Sequence, residues 1–349
     1  MLTLLLIVIL AALIFDFING FHDAANAIAT TVATGALSLG AAVTLSAIFN
    51  FVGAMGGEEV AKYFAKDFLA KGQVASQYMV LAALIGASAW NLLTWWWGLP
   101  SSSSHALVGG LVGAVLVDLG PVGVHWHNLL MKPVLWLVLS PLIGFVVAFL
   151  AMVGLTWLLA RARPARVNRG ARRWQLLSAC AFSYSHGLND AQKVMGIITL
   201  SLIAYMTAVP AGERELAAWM LPDEATKGVP LWVKIACALA IALGTLAGGK
   251  RIIKTMGSKV ARIQPLQGFT AQTAGTGTLM MTGYFGIPVS TTHAINASIL
   301  GAGSAWRLTA VRWGVVGNIM AAWVFTLPAS ALMAALALWA MHLCGIGTS

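Results

Sequence analysis

The sequence predicts an all-α polytopic membrane protein with about ten transmembrane segments, or 10–12 if two short hairpins are counted, and three observations carry that prediction. Of 349 residues, 59% are hydrophobic and only 9% are charged, and the mean hydropathy is +0.83. A soluble domain carries about 25% charged residues, so this chain lacks the polar surface to face water on all sides. Apolar segments near the ~20 residues that a span requires recur along its whole length. They also come in two sets that echo one another.

The first run, MLTLLLIVILAALIFDF, lacks the basic start of a signal peptide and passes straight into a polar motif, so it reads as an uncleaved span. Spans are expected at 1–35, 40–57, 77–97, 103–119 and 132–160, then at 174–206, 231–249, 265–285, 289–304 and 311–343. The first of each set is expected to be interrupted. Between 58 and 76, Glu58, Glu59, Lys62, Lys66, Asp67 and Lys71 fall at helical spacing and suggest an interfacial helix with a solvated face. The stretch RARPARVNRGARRWQ holds Arg161, Arg163, Arg166, Arg169, Arg172 and Arg173 without an acid, which marks it as cytoplasmic by the positive-inside rule. Lys250, Arg251, Lys254, Lys259 and Arg262 form a second basic loop, and Arg307 and Arg312 a third. Glu213, Glu215, Asp223 and Glu224 then lie outside. Counting from these anchors puts both termini outside.

The echo is specific. FDFINGFHDA at 15–24 matches FSYSHGLNDA at 182–191, so that Gly20 pairs with Gly187 and Asp23 with Asp190. GLPSSSSHA at 98–106 matches GIPVSTTHA at 286–294, Gly56-Gly57 matches Gly248-Gly249, and Trp136-x4-Pro141 matches Trp323-x4-Pro328. The organisation is therefore a first repeat over 1–160, a basic linker over 161–175 and a second repeat over 176–349. Five spans per half invert the second copy in the membrane, an arrangement common in secondary transporters.

Two constellations carry chemistry. In the first, Asp16 and Asp23 lie in a run otherwise apolar enough for lipid, and Asp190 repeats Asp23. An acid at bilayer depth is expensive and is kept where it faces a cavity, a partner or an ion path. Gly20 and Gly187 allow a helix break that would free backbone groups for an ion. The alternative is a glycine packing notch beside a locally bonded acid. His22, Asn26 and Asn189 flank the two aspartates and join them as candidate cation-coupling residues. The second constellation is Ser102, Ser103 and Ser104 against Ser290, Thr291 and Thr292, each set behind a proline that suits a first helical turn. Hydroxyls beside unpaired N–H groups at the positive end of a helix dipole bind an oxyanion. The plainer reading is that they cap their own helices. Gln192 and Lys193 are added as anion-binding candidates, with Lys193 equally able to neutralise Asp190 from i+3. His105, His293 and Asn50 are candidates for gating or proton handling.

Other function classes find no support. The sequence holds no nucleotide loop and no catalytic triad, so neither an enzyme nor an ATP-driven pump is indicated. Cys180, Cys237 and Cys344 show no metal-ligand spacing, and no metal site or bound cofactor is expected. The net charge of +10 reads as loop charge rather than as a nucleic-acid surface.

At these motifs the chain resembles the inorganic phosphate transporter (PiT) family, whose duplicated Gly-x-Asn-Asp-type signature stands here as Gly20-Phe21-His22-Asp23 and Gly187-Leu188-Asn189-Asp190. His22 departs from that signature. The likeness is strongest to bacterial Pit-type permeases, which share NGFHDAANA, GLPxSSSH, GxPVSTTH and AWVFTLPAS (322–330). It implies uptake of inorganic phosphate, alone or as a neutral divalent-metal complex, across a bacterial inner membrane, driven by a cation gradient. Sodium-coupled relatives carry a glutamate where this chain has Asn50, which favours protons. Partners implied are phosphate, membrane lipid and, as a candidate, a second copy of the chain. The rivals are sodium coupling, a sulfate or other oxyanion permease of the same build, and a cation or metal transporter in which no anion enters.

Overall fold

The computed structural model describes residues 1–223, 228–259, 263–305 and 307–346. Glu224 and Arg262, two of the loop charges named above, lie outside them. Among the described residues the chain is helical apart from turns and a single antiparallel bridge between Leu69 and Val124. The order is α1 (Leu2–Ala33), α2 (Leu39–Ala54), α3 (Glu59–Lys62, continued by a π-helical turn to Asp67), α4 (Gln77–Trp97), α5 (Ser103–Asp118), α6 (Trp126–Leu129), α7 (Leu135–Leu158), α8 (Pro164–Ala208), α9 (Leu231–Ala247), α10 (Lys250–Lys254), α11 (Pro265–Tyr284), α12 (Thr291–Ser304) and α13 (Trp313–Leu343). Local chemistry sets these bounds. Ser38 and Ser76 cap α2 and α4 through their hydroxyls, Gly98 ends α4 at φ +69°, and Pro164 and Pro265 open α8 and α11 at positions where their missing N–H costs nothing.

The chain is built with its oil outside, as a multi-pass membrane protein requires. Leu6, Ile7, Leu10 and Ile14 of α1, Val138, Leu142, Val146 and Leu150 of α7, and Val324, Phe325, Leu332 and Leu336 of α13 are exposed. The inward face of α7 is Ser140, Gly144, Ala148 and Met152, spaced four apart and mostly small. Small residues let backbones approach, and close packing replaces a hydrophobic driving force that lipid cannot supply.

Three expectations meet the structure. All ten expected segments are helical, and among the described residues five helices are long and apolar enough to span a membrane, or seven if two bent pairs count as single spans. The other three are short or less apolar: α5 and α12 have 16 and 14 residues, and α11 is diluted by threonine, glutamine and glycine. Secondly, α1 and α8 run unbroken through Gly20 and Gly187. These glycines are packing notches instead. A Cβ on Gly20 would meet the backbone of Ile241 and Gly244 in α9, and one on Gly187 would meet the backbone of Asn50 in α2. The breaks fall elsewhere, in 62° bends between α2 and α3 and between α9 and α10, at Gly56-Gly57 and Gly248-Gly249. Thirdly, most of the arginine stretch is not a loop, because α8 begins at Pro164 and carries it.

The packing crosses the sequence. α1 lies against α9 and α8 against α2, while α5 packs on α13 and α12 on α7.

Candidate functional site

At 3.6 residues per turn, positions i, i+3, i+7 and i+10 share one face of a helix. On α1 that face carries Asp16, Asn19, Asp23 and Asn26, and on α8 it carries Ser183, His186, Asp190 and Lys193. All eight are buried, none more than 2% exposed. These two polar stripes meet the starts of α5 and α12.

The meeting is reciprocal. Ser103, first residue of α5, donates its hydroxyl to Asp23 Oδ2 at 2.9 Å, and Thr291, first residue of α12, donates to Asp190 Oδ2 at 3.0 Å. One turn further along the stripes, the partners are exchanged. Asn26 Nδ2 donates to Thr292 Oγ1 at 2.9 Å, while Lys193 Nζ donates to the hydroxyl of Ser104 and to the Val289 carbonyl at 2.9 Å. Lys193 also pairs with Asp190 Oδ1 at 2.5 Å. Both carboxylates thus sit at helix N-termini, where the dipole favours negative charge.

Histidines complete each carboxylate's surroundings. His22 Nδ1 lies 2.6 Å from Asp23 Oδ1, and its Nε2 faces Thr94 at 3.2 Å and Ser101 at 3.4 Å. His186 lies 3.2 Å from Asp190 Oδ2 and bonds through Nδ1 to Asn50 Oδ1 at 3.0 Å. Asn50 passes the connection to Thr245 of α9 at 2.8 Å. At the hairpins themselves, the imidazoles of His105 and His293 stack with centroids 4.8 Å apart, and His293 stacks in turn on Trp323 at 4.0 Å.

Not every candidate joins the cluster. Ser102 and Ser290 cap their own helices, accepting from His105 N at 3.2 Å and His293 N at 3.1 Å. Gln192 turns away from the hairpins and accepts from Val60 N at 2.8 Å, at the edge of a cleft of about 690 Å³ lined also by Gly56, Gly57, Tyr184 and Leu188. Asn189 donates to the carbonyls of Ser185 and Leu279 and serves the packing of α11 on α8. Both are neighbours of Asp190 in sequence but stand on other faces of α8. Conversely, His186, Thr94, Ser101 and Asn19 belong to the cluster and were not singled out as site residues. The signal for His186 and Asn19 was present, since each stands four residues before an aspartate on the same helical face. For Thr94 there was none.

The cluster can hold a cation and an anion at once. Although the sequence has no metal-ligand spacing, the fold gathers one ligand atom each from Asp23, His186 and Asp190 within 4.8 Å of one another. Beside them, the hydroxyls of Ser104 and Thr292, the Lys193 ammonium and the first-turn N–H groups of α5 and α12 are donors suited to an oxyanion. Burial of every member closes the site to bulk water.

Comparison with known proteins places the whole chain. The model of the phosphate transporter family matches residues 19–334. A probable low-affinity inorganic phosphate transporter of Rhizobium meliloti is 47% identical over 341 residues, covering 97% of each chain. One of Bacillus subtilis is 41% identical over 348 residues, covering 98% of each. A solved structure described as the sodium-dependent phosphate transporter superposes with a TM-score of 0.83 at 25% identity, over 98% of this chain and 99% of that one. The two signature helices, the paired hairpins and these relationships lead to one conclusion: the chain belongs to the phosphate transporter family, whose members are transporters and not enzymes.

Proposed function

We propose that this chain imports inorganic phosphate across a bacterial inner membrane by alternating access, driven by protons. The observation that carries the reading is the exchange of partners at the hairpins: Asn26 holds Thr292, and Lys193 holds Ser104. Each anion-seeking helix start is thereby held by a helix that bears an acid. Ser103, Ser104, Thr291 and Thr292 with Lys193 bind phosphate, and Asp23 and Asp190 bind the driving cation with Asn26 beside them. In the closed arrangement the hydroxyls of Ser103 and Thr291 are spent on the carboxylates. Once a cation neutralises those acids, the hydroxyls turn to a phosphate oxygen. Loading of one species favours loading of the other, which is the requirement for symport. Phosphate also keeps a titratable proton near neutral pH, which the aspartates can accept and which sulfate lacks.

The decisive experiment is radiolabelled phosphate uptake into proteoliposomes under separately imposed proton and sodium gradients. Accumulation is expected with the proton gradient alone. Uptake that follows only sodium would overturn the proton assignment, and equal uptake of sulfate would overturn the substrate. Sodium coupling is the second reading, favoured by the description of the structural relative as sodium-dependent and by the gathering of Asp23, His186 and Asp190.

The crossed packing of α1 on α9 with α8 on α2 supports a scaffold duplicated over 1–160 and 176–349. We assign the arginine stretch at 161–175 to the cytoplasm and both termini to the outside. Labelling of an Asn168→Cys variant by an impermeant reagent in intact cells would reverse that orientation.

A further inference from the structure

Three acids are buried on the two polar stripes, and two of them are satisfied. Asp23 is held by His22 and Ser103, and Asp190 by Lys193, His186 and Thr291. Asp16 is different. It is 0% exposed, and neither carboxyl oxygen has a hydrogen-bond partner. The polar groups it faces are Asn19 on its own helix and the Cys237 thiol on α9, neither in hydrogen-bond geometry. From α8, Asp190 and Lys193 act on it through charges of opposite sign.

Its position is equally particular. Asp16 stands seven residues before Asp23 on the same face of α1, about 10 Å along the axis, with Asn19 between them. The Asn19 carbonyl oxygen is also buried and without a partner. The corresponding position of the second stripe is Ser183, which bonds to Ser46 and to the Ala179 carbonyl and carries no charge. Asp16 is therefore the acid that the duplication does not repeat.

An ionised carboxylate fully buried without a hydrogen-bond partner is too costly to persist, and the group takes a proton instead. We infer that Asp16 is a proton-binding site of the transporter, separate from the paired aspartates, and that it carries one proton in the closed state. The step balances simply. The carboxyl O–H bond forms with a proton from water on the outer side and breaks to water on the inner side when that side opens. The inference builds on the transport reading, but its first test does not depend on transport.

That test is infrared difference spectroscopy of the wild-type protein in lipid vesicles, in light and heavy water. A protonated carboxylic acid band is expected near neutral pH, shifted by deuterium, absent from Asp16→Asn and moved in frequency by Cys237→Ala. The second test counts protons moved per phosphate in proteoliposomes, expected to fall by one in Asp16→Asn. A band that survives Asp16→Asn unchanged, or an unchanged proton count, overturns the assignment. So does a band that sodium abolishes at constant pH, since Asp16 would then hold sodium. If Asp16→Asn fails to fold, the response to Cys237→Ala decides, and indifference to that change is a negative result. If the wild type moves no phosphate, the transport reading falls while the carboxyl band still decides the role of Asp16.

Discussion

The two polar stripes are built on one plan and filled differently. Asp23 and Asp190 occupy equivalent places, each bonded to the first hydroxyl of a hairpin helix. Around them, α1 offers Asp16, Asn19 and Asn26, where α8 offers Ser183, His186 and Lys193. The first stripe is acid-rich and holds its distant hairpin through a neutral amide. The second has a buried cation that ties an acid and a hairpin together. On the function proposed above, matched positions on the two stripes are filled so as to divide the work, with α8 placed to attract an anion and α1 to accept a positive charge.

The division can be broken at its acids first. Asp23→Asn and Asp190→Asn are each expected to abolish phosphate accumulation driven by a proton gradient, while phosphate exchange between labelled and unlabelled pools persists. Asp190→Asn should also fold less well than Asp23→Asn, because it strands Lys193. If both variants accumulate phosphate like the wild type, the aspartates are scaffolding.

The next test compares the two cross-links. Lys193→Ala leaves Asp190 as a buried acid without its ammonium, which costs about 3–5 kcal/mol. Asn26→Ala removes a neutral hydrogen bond worth about 1 kcal/mol. Thermal unfolding in detergent should separate them clearly, and Asp190→Asn combined with Lys193→Ala should recover much of the loss. Equal destabilisation by the two alanine variants would mean that the stripes do not differ as described.

The smallest effect concerns the hairpin hydroxyls. Ser104 meets a charged donor and Thr292 a neutral one. Losing a hydrogen bond to a charged group costs about 1.5–3 kcal/mol, against about 0.5–1.5 kcal/mol for a neutral one. Equilibrium phosphate binding should therefore weaken at least tenfold in Ser104→Ala and by a lesser factor in Thr292→Ala. Unchanged binding in both removes the hairpins from the anion site.

Much of this was legible beforehand because membrane spans announce themselves by length and apolarity. The expected span at 77–97 coincides with α4, and the Pro-Ser and Pro-Val-Ser-Thr motifs open α5 and α12 as expected. What failed did so for definable reasons. A glycine that breaks a helix and a glycine that admits a neighbouring backbone look alike in one dimension, and the neighbour of Gly20 is Gly244, far along the chain. Gln192 and Asn189 were gathered in by adjacency, although a helix turns about 100° per residue and carries them off the face of Asp190. His186 and Asn19 stood on that face and would have been found by counting threes and fours. The roles of Ser102 and Ser290 as caps and of Ser103 and Thr291 as partners of acids differ by one residue, a distinction that only the helix start itself decides.

The exchange of partners has a consequence for biosynthesis. The hairpin that Lys193 grips has already been made when α8 leaves the ribosome, since Ser104 lies 89 residues behind it. Asn26 must wait for Thr292, 266 residues later, which at 5–20 residues per second is roughly 13–53 s of synthesis. Throughout that interval Asn26 sits in the membrane without its final partner, although Asp23 finds Ser103 after 80 residues. It is fitting, then, that α1 carries the most apolar window of the five long helices, and that its half of the bargain with the hairpins is a neutral amide rather than a charge.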